Sequence, residues 1–249
     1  MTSLILSGAC GHMGRVIADT VRKKDDFEIV CGFDIKQDAA SPFPVYSSPK
    51  EFSGRADVII DFSHPSAFEG VLDYAVSTKT SVVFATTGLS EEQKEKMKAA
   101  SEKTAVFYSA NMSLGISVIT ALAKRAAEIL GDGFDIEIVE KHHHRKLDAP
   151  SGTALAIADA LNEKEDFEYV YDRHSVRKAR SPKEIGIHSV RGGTIVGEHT
   201  VLFAGNDEVI EIKHSAASRE IFATGAIAAA GFLKGKPAGM YSMKDIVEI

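Results

Sequence analysis

The sequence predicts an α/β protein in two domains: a parallel sheet covered on both faces, then a second α+β domain with a mixed or antiparallel sheet. Three observations lead there. From Ser3 to Tyr108, short apolar runs alternate with helical patterns, as strands do when helices bury both their faces. A glycine-rich turn, Gly8-Ala9-Cys10-Gly11-His12-Met13-Gly14, joins the first strand to the first helix. After Asn111 the rhythm changes to Val/Ile/Thr-rich strands punctuated by Gly or Asn, which suits antiparallel or mixed pairing.

The elements follow in order. Ser3 to Gly8 reads as a strand, and the helical pattern after the glycine turn runs to about Lys23. Glu28 to Phe33 and Asp57 to Asp61 are further strands, and Pro65 opens a helix, a residue suited to the first turn. Ser81 to Ala85 is another apolar strand. Ser90 and Gln93 have capping-box spacing for a helix to about Glu102. Ala105 to Tyr108 completes the first series. A helix from about Ser113 to Leu130 leads to a strand at Phe134 to Glu140, then to a His-rich segment and a helix from Ala154 to Leu161. Glu163 to Pro182 is polar and reads as a long loop. Gly186 to Arg191, Thr194 to Phe203 and Glu208 to His214 are strands, and an Ala-rich helix spans about Arg219 to Leu233. The domain boundary is expected near residue 112.

Composition narrows the function. At 249 residues, 44% hydrophobic and 26% charged, the chain suits one large domain or two smaller ones. A net charge of -6 with dispersed Lys and Arg argues against nucleic-acid and membrane-surface partners. No apolar run approaches the roughly 20 residues that span a bilayer. The N-terminus enters a strand with no charged region or cleavage site, so no signal peptide is expected. Cys10 and Cys31 form no CxxC and no disulfide framework, which fits a reducing cytoplasm.

Gly8, Gly11 and Gly14 sit between a strand and a helix, where backbone N–H groups and the helix N-terminus favour a pyrophosphate. Asp34 ends the second strand, twenty residues past Gly14, where an acid accepts the ribose hydroxyls of NAD. The N-terminal domain is therefore expected to be of Rossmann type. Lys36 is placed to hold the 2′-phosphate of NADP, so NADH and NADPH both stay open. A plain tight turn is the alternative. Cys10 reads as a small loop residue beside the pyrophosphate, and Cys31 as a core residue.

Residues Glu140 to Ala154 read Glu-Lys-His-His-His-Arg-Lys-Leu-Asp-Ala-Pro-Ser-Gly-Thr-Ala. So dense a cluster of imidazoles and cations suits a site that moves protons and grips an anion. If the strand ran on to His144, His142 and His144 would share one face and His143 the other. Lys146 can hold a carboxylate or donate a proton. Ser151, Gly152 and Thr153 offer N–H groups and hydroxyls at a helix start, for capping, for a carboxylate, or for both. A zinc site built on the His pair and Asp148, and a solvated basic loop, are the rival readings. No HExxH, Cys ligand or second His pair supports the metal. Ser151 lies in no GxSxG elbow, which excludes a hydrolase nucleophile. Two anion-binding features beside a titratable His suggest a small dicarboxylate, and beside a nicotinamide they imply hydride transfer with proton delivery.

The segment from Glu140 to Ala154 closely resembles the signature of the dihydrodipicolinate reductase family, also called 4-hydroxy-tetrahydrodipicolinate reductases. The resemblance extends along the chain through the glycine loop, Ile60-Asp61-Phe62-Ser63 with Pro65, Ala85-Thr86-Thr87-Gly88, Ser109-Ala110-Asn111-Met112, Arg191-x-Gly193-x-x-x-Gly197-Glu-His199, and Ser218-Arg219, Phe222 and Gly225-Ala226. It implies NAD(P)H-dependent reduction of 4-hydroxy-tetrahydrodipicolinate, with loss of water, in the diaminopimelate route to lysine. It also implies that His142 is the main proton donor or acceptor and Lys146 its proton-donating partner. His143, Lys146, Ser151, Gly152 and Thr153 would contact the substrate carboxylates. Gly8, Ala9, Cys10, Gly11, His12, Met13, Asp34, Lys36, Phe62, Ala85, Thr86, Thr87, Ser109, Ala110, Asn111 and Met112 would surround the nucleotide. Residues 1–111 with 222–249 would form the dinucleotide-binding domain, and 112–221 the substrate-binding and oligomerisation domain of a cytoplasmic homotetramer. No metal is implied. His12 stands where many members carry Arg or Lys, and Ala85 where they carry Gly; both bear on cofactor preference. A sugar or amino-acid dehydrogenase on a similar scaffold, and a non-catalytic nucleotide sensor, are the remaining rivals.

Overall fold

The computed structural model describes residues 1–38, 40–163, 166–175 and 177–247. The chain divides into two compact units, Met1–Leu114 with 220–247, and Gly115–Arg219.

The first unit is built on a seven-stranded sheet. Its strands are β1 (Thr2–Ser7), β2 (Phe27–Phe33), β3 (Val45–Tyr46), β4 (Val58–Asp61), β5 (Ser81–Phe84), β6 (Ala105–Tyr108) and β12 (Gly239–Tyr241), in the order β12-β6-β5-β4-β1-β2-β3. Every pairing is parallel. The chain winds outward from β1 through β2 to β3, then returns to β4 on the other side of β1. That reversal makes a switch point between β1 and β4, where the loops after neighbouring strands diverge and leave room for a ligand. This is the α/β parallel sheet that the alternation of apolar runs predicts.

Two apolar layers cover the sheet. On one face α1 (His12–Val21) and α6 (Glu220–Leu233) pack with Leu4, Leu6, Ile60, Val83 and Phe107. On the other, α2 (Phe68–Thr78) and α3 (Glu91–Ser101) pack with Ile5, Ile59, Val82, Phe84 and Val106. Alternate residues of each strand thus go to opposite faces and both are buried. The alanines of α6 have a steric role: Ala223, Ala226, Ala229 and Ala230 are buried, and a Cβ on Gly225 would stand 1.6 Å from the Met112 carbonyl oxygen. The helix can therefore lie tight against its neighbours. Helix α3 starts with the expected capping box, Ser90 Oγ accepting from Gln93 N at 3.2 Å while Gln93 Oε1 accepts from Ser90 N at 3.0 Å.

The second unit has a five-stranded mixed sheet. Its strands are β7 (Asp135–His142), β8 (Glu168–Val170), β9 (Glu184–Arg191), β10 (Gly197–Ala204) and β11 (Val209–Ala216), in the order β11-β10-β7-β9-β8. β10 runs antiparallel to β7 and β11, while β9 runs parallel to β7 and β8. Helices α4 (Leu114–Leu130) and α5 (Gly152–Leu161) supply Ile116, Ile119, Ala154, Ile157 and Leu161 to a core with Ile136, Ile138, Ile187, Val201 and Phe203. Each large side chain fully buried there contributes about 1.5–3 kcal/mol.

The structure departs from the sequence expectations at several short elements. The segment after Pro65 begins as a 3-10 turn (Pro65–Ala67) before α2. β3, β8, β12 and a final helix, α7 (Met243–Ile246), were too short to leave a periodic signal. β8 interrupts the polar stretch expected as one loop; residues 164, 165 and 176 of that stretch, and 248–249 at the C-terminus, lie outside the described residues. β7 stops at His142 and does not reach His144. Its partner β9 ends at Arg191, and Lys146 N donates to the His143 carbonyl at 3.1 Å to close a turn. His142 and His144 therefore do not share a strand face.

Candidate active site

In the first unit, the residues expected around a nucleotide lie beyond the C-terminal ends of parallel strands. Gly8 to Gly11 follow β1, and His12 and Met13 open α1. Asp34 and Lys36 follow β2, Phe62 follows β4, Ala85 to Thr87 follow β5, and Ser109 to Met112 follow β6. The loop is compact because its glycines permit it. Gly8 has φ +79°, and a Cβ there would stand 2.7 Å from the Phe62 carbonyl oxygen. A Cβ on Gly14 would stand 2.2 Å from the Gly8 carbonyl oxygen. Gly11 caps α1 without a side-chain acceptor, so the first-turn N–H groups keep their capacity for an anion. Asp34 anchors the rim, Oδ2 accepting from Cys10 N and Oδ1 from Lys36 N, each at 2.9 Å. Each oxygen retains a lone pair for a hydroxyl. His12 and Lys36 are exposed. Ala9 and Met112 are buried in the apolar core, which leaves their backbone as the part able to meet a ligand. Ser109 Oγ donates to the Asn111 carbonyl at 2.6 Å and fixes that turn; Ala110 is exposed beside it.

One residue of this region escaped functional assignment. Asp61, at the end of β4, is fully buried. Its Oδ2 accepts from Thr86 Oγ1 at 2.5 Å and its Oδ1 from Ser63 Oγ at 2.6 Å. Burial pushes its carboxyl pKa up, against those hydroxyls. Asp61 thereby ties together the loops after β4 and β5.

In the second unit, the His-rich segment leaves β7 at its active end. The strand alternates, with Ile136, Ile138, Glu140 and His142 on the buried face. His142 Nδ1 lies 2.5 Å from Glu140 Oε2. Arg191, paired with His142 across β7 and β9, grips Glu140 with both terminal nitrogens. Ser151 N donates to Glu140 Oε1 at 3.1 Å, which sets the carboxylate at the positive end of α5. Burial alone would raise the Glu140 carboxyl; bonds from Arg191, His142 and Ser189 outweigh it and hold the pKa down at about 2.

The remaining groups pack around that pair. His199, from β10, lies edge-on to His142 with ring centroids 5.2 Å apart, and its Nε2 shares a 3.1 Å hydrogen bond with Ser151 Oγ. Burial, then the neighbouring His142, push its pKa down to about 4, so it is neutral. Ser151 Oγ also accepts from Ala154 N at 3.2 Å, capping α5. Gly152 and Thr153 form the first turn of α5. Lys146 Nζ lies 2.9 Å from Asp148 Oδ1. His143 Nδ1 is buried without a hydrogen-bond partner among the described residues. Burial and then the nearby Arg145 and Arg219 lower its pKa. His144 is exposed on the turn. Among the described residues, no group of three or more His, Cys, Asp or Glu side chains is arranged to hold a metal ion. No helix among them is long and apolar enough to cross a membrane.

Glu140 did carry a local signal: a carboxylate in register with Ile136 and Ile138 on an alternating strand must be buried and paired. Arg191 and His199 stood in the sequence only as the ends of a family motif, with no role assigned, because only the registers of β9 and β10 bring them to Glu140.

Two family models cover nearly the whole chain. Residues 2–112 match the dihydrodipicolinate reductase N-terminus and residues 115–247 the C-terminus. The chain belongs to the dihydrodipicolinate reductase family. A 4-hydroxy-tetrahydrodipicolinate reductase of Caldanaerobacter subterraneus subsp. tengcongensis is 54% identical over 100% of this chain and 99% of its own length. That of Clostridium novyi is 44% identical with the same coverage. The solved structure of a dipicolinate-bound dihydrodipicolinate reductase from Paenisporosarcina sp. TG-14 superposes with a TM-score of 0.84 at 26% identity, covering 99% of this chain and 100% of that one. The two share one architecture, which in this chain is a Rossmann-like parallel sheet and a mixed sheet.

Proposed function

We propose that this reductase converts 4-hydroxy-tetrahydrodipicolinate to tetrahydrodipicolinate with loss of water, using NADH or NADPH, in the diaminopimelate route to lysine. The observation that carries the reading is the buried Glu140–His142 pair, with Lys146 and the start of α5 close by in the same motif. It offers a proton at an imidazole and positive potential for carboxylates.

The residues divide the work as follows. Gly8, Ala9, Cys10, Gly11, His12 and Met13 would hold the pyrophosphate. Asp34 and Lys36 would meet the ribose, and Phe62, Ala85, Thr86, Thr87, Ser109, Ala110, Asn111 and Met112 would line the rest of the nucleotide site. The close-packed glycine turn fits such a group, since side chains there would collide with neighbouring backbone and force the turn out of shape. When bound, a reduced nicotinamide supplies a hydride to C4 of the substrate ring. His143, Lys146, Ser151, Gly152 and Thr153 would grip the two carboxylates. Loss of the C4 hydroxyl as water and reduction at C4 of the conjugated imine would leave an enamine, nucleophilic at the ring carbon between C4 and the imine carbon. His142, as the imidazolium, would then give its Nε2 proton to that carbon, the N–H electron pair staying on Nε2, and Lys146 would assist as a second proton donor. Fixing the ring in one orientation supplies part of the rate.

The assembly reading is a cytoplasmic homotetramer formed through the sheet of the second unit, with no nucleic-acid or membrane partner. Val190 and Val209, exposed on the sheet face opposite His142, support it; light scattering of the purified protein tests it. The domain roles follow: residues 1–111 with 222–249 for the dinucleotide, 112–221 for substrate and assembly.

The deciding experiment is a coupled assay in which the aldolase condensation product is supplied with NADH or with NADPH. Oxidation of either nucleotide is the expected result, and oxidation of neither overturns the reading. Pyridine-2,6-dicarboxylate, planar and doubly negative, should compete with substrate.

A further inference from the structure

Resting on the function just proposed, we infer that Glu140 and Arg191 form a positioning pair that locks the imidazole of His142 with its proton on Nδ1 and its Nε2 aimed at the reacting carbon. Glu140 lies two residues before His142 on the same buried face of β7, so its carboxylate reaches back along the strand to Nδ1 at 2.5 Å. Its other contacts prevent it from doing anything else. Oε1 accepts from Arg191 and Ser151 N, and Oε2 from Arg191 and His142. A guanidinium has donors only and keeps its charge. Both Glu140 oxygens must therefore act as acceptors, and the group facing them on His142 must be an N–H.

Nε2 is left as the atom that exchanges a proton. Among the described residues no hydrogen bond ends on it. Gly197, at the start of β10, keeps it accessible: a Cβ at this position would stand 3.1 Å from Nε2. The groups around His142 are Glu140 from its own strand, Arg191 from β9, and the neutral His199 from β10, with His143 on the following turn. Of these, only Glu140 bonds to the ring. A ring held in this way can, as the imidazolium, deliver its Nε2 proton and fall back to the neutral Nδ1–H tautomer without turning.

Replacing the carboxylate by an amide tests this. In Glu140→Gln the single amide oxygen is claimed by Arg191, so the NH2 faces Nδ1 and drives the ring proton to Nε2. The orienting carboxylate of a catalytic triad behaves likewise, an amide there costing about 10⁴ in kcat through the wrong tautomer. For Glu140→Gln, kcat is expected to fall by roughly a hundredfold or more while the dicarboxylate KM moves by less than about threefold. Glu140→Asp, which retains the charge, should recover part of the loss. Nitrogen-15 NMR of the neutral His142 ring should report Nδ1–H in the wild type and Nε2–H in Glu140→Gln. Gly197→Ala should lower kcat/KM by crowding Nε2 while the ring stays in the Nδ1–H form.

The NMR reading is independent of turnover. An Nε2–H tautomer in the wild-type protein overturns the inference even if Glu140→Gln fails to fold, and so does wild-type kcat in a folded Glu140→Gln. A wild-type protein with the Nδ1–H ring but no reductase activity refutes the proposed function and leaves the positioning pair standing.

Discussion

Arg191 donates from both terminal nitrogens to Glu140, 2.7 Å to Oε1 and 2.8 Å to Oε2. This fork-to-fork geometry is the strongest form of the arginine–carboxylate contact. It joins two residues 51 positions apart and sets the ionisation of the group that touches His142. Removing the guanidinium leaves a buried carboxylate without its counter-charge. Arg191→Ala should therefore lose about 3–5 kcal/mol of unfolding free energy, measured by urea titration. The pH sign follows from the depressed carboxyl, about 2 in the folded state against 4.5 for the free group. Its stabilisation is complete above about pH 4.5 and drains away as pH falls towards 2. Arg191→Ala should flatten that acid limb.

His199 gives a second, separable dependence. Its pKa is lowered from 6.5 to about 4 by burial, so the unfolded chain binds a proton that the folded chain refuses. Stability from this group is whole above pH 6.5 and lost as pH falls through 4. Proton uptake on unfolding near pH 5 should drop by about one in His199→Gln, read by calorimetry in buffers of different ionisation enthalpy. An unchanged uptake would mean that His199 titrates normally in the fold.

The glycine turn should tolerate no side chain at Gly14. A Cβ would meet the Gly8 and Ala9 carbonyl oxygens at 2.2 and 2.6 Å, both backbone atoms. Gly14→Ala should weaken NADH and NADPH binding by roughly tenfold or more in a fluorescence titration, since a shifted loop loses its fit to the pyrophosphate. Binding of pyridine-2,6-dicarboxylate to the second unit should persist in that variant.

His142 and Lys146 should separate by kinetics. His142→Ala and Lys146→Ala are each expected to lower kcat by roughly two orders of magnitude or more if both transfer protons. If Lys146 serves mainly as a carboxylate contact, its loss will appear in KM with kcat intact. Steady-state assays across substrate concentration distinguish the two. Unchanged turnover in either variant removes that residue from the chemistry.

The sequence by itself determined the two kinds of sheet. A strand buried on both faces has to be apolar throughout, as Val58 to Ile60 and Val82 to Phe84 are, whereas the Val/Ile/Thr-rich runs after Asn111 are broken by Gly or Asn, as mixed or antiparallel strands are. It also determined the two local motifs, because Gly8 to Gly14 and His142 to Thr153 are contiguous and their spacing carries their chemistry. Tertiary structure decided what those motifs bond to. The turn that takes His144 off the strand was not encoded in its spacing, and the pairing of Glu140 with Arg191 depended on a strand register that no local spacing encodes. Strands of two or three residues, such as β3 and β12, stayed hidden for the same reason: a period needs several residues to show, whereas an edge pairing needs only a neighbour with free backbone groups.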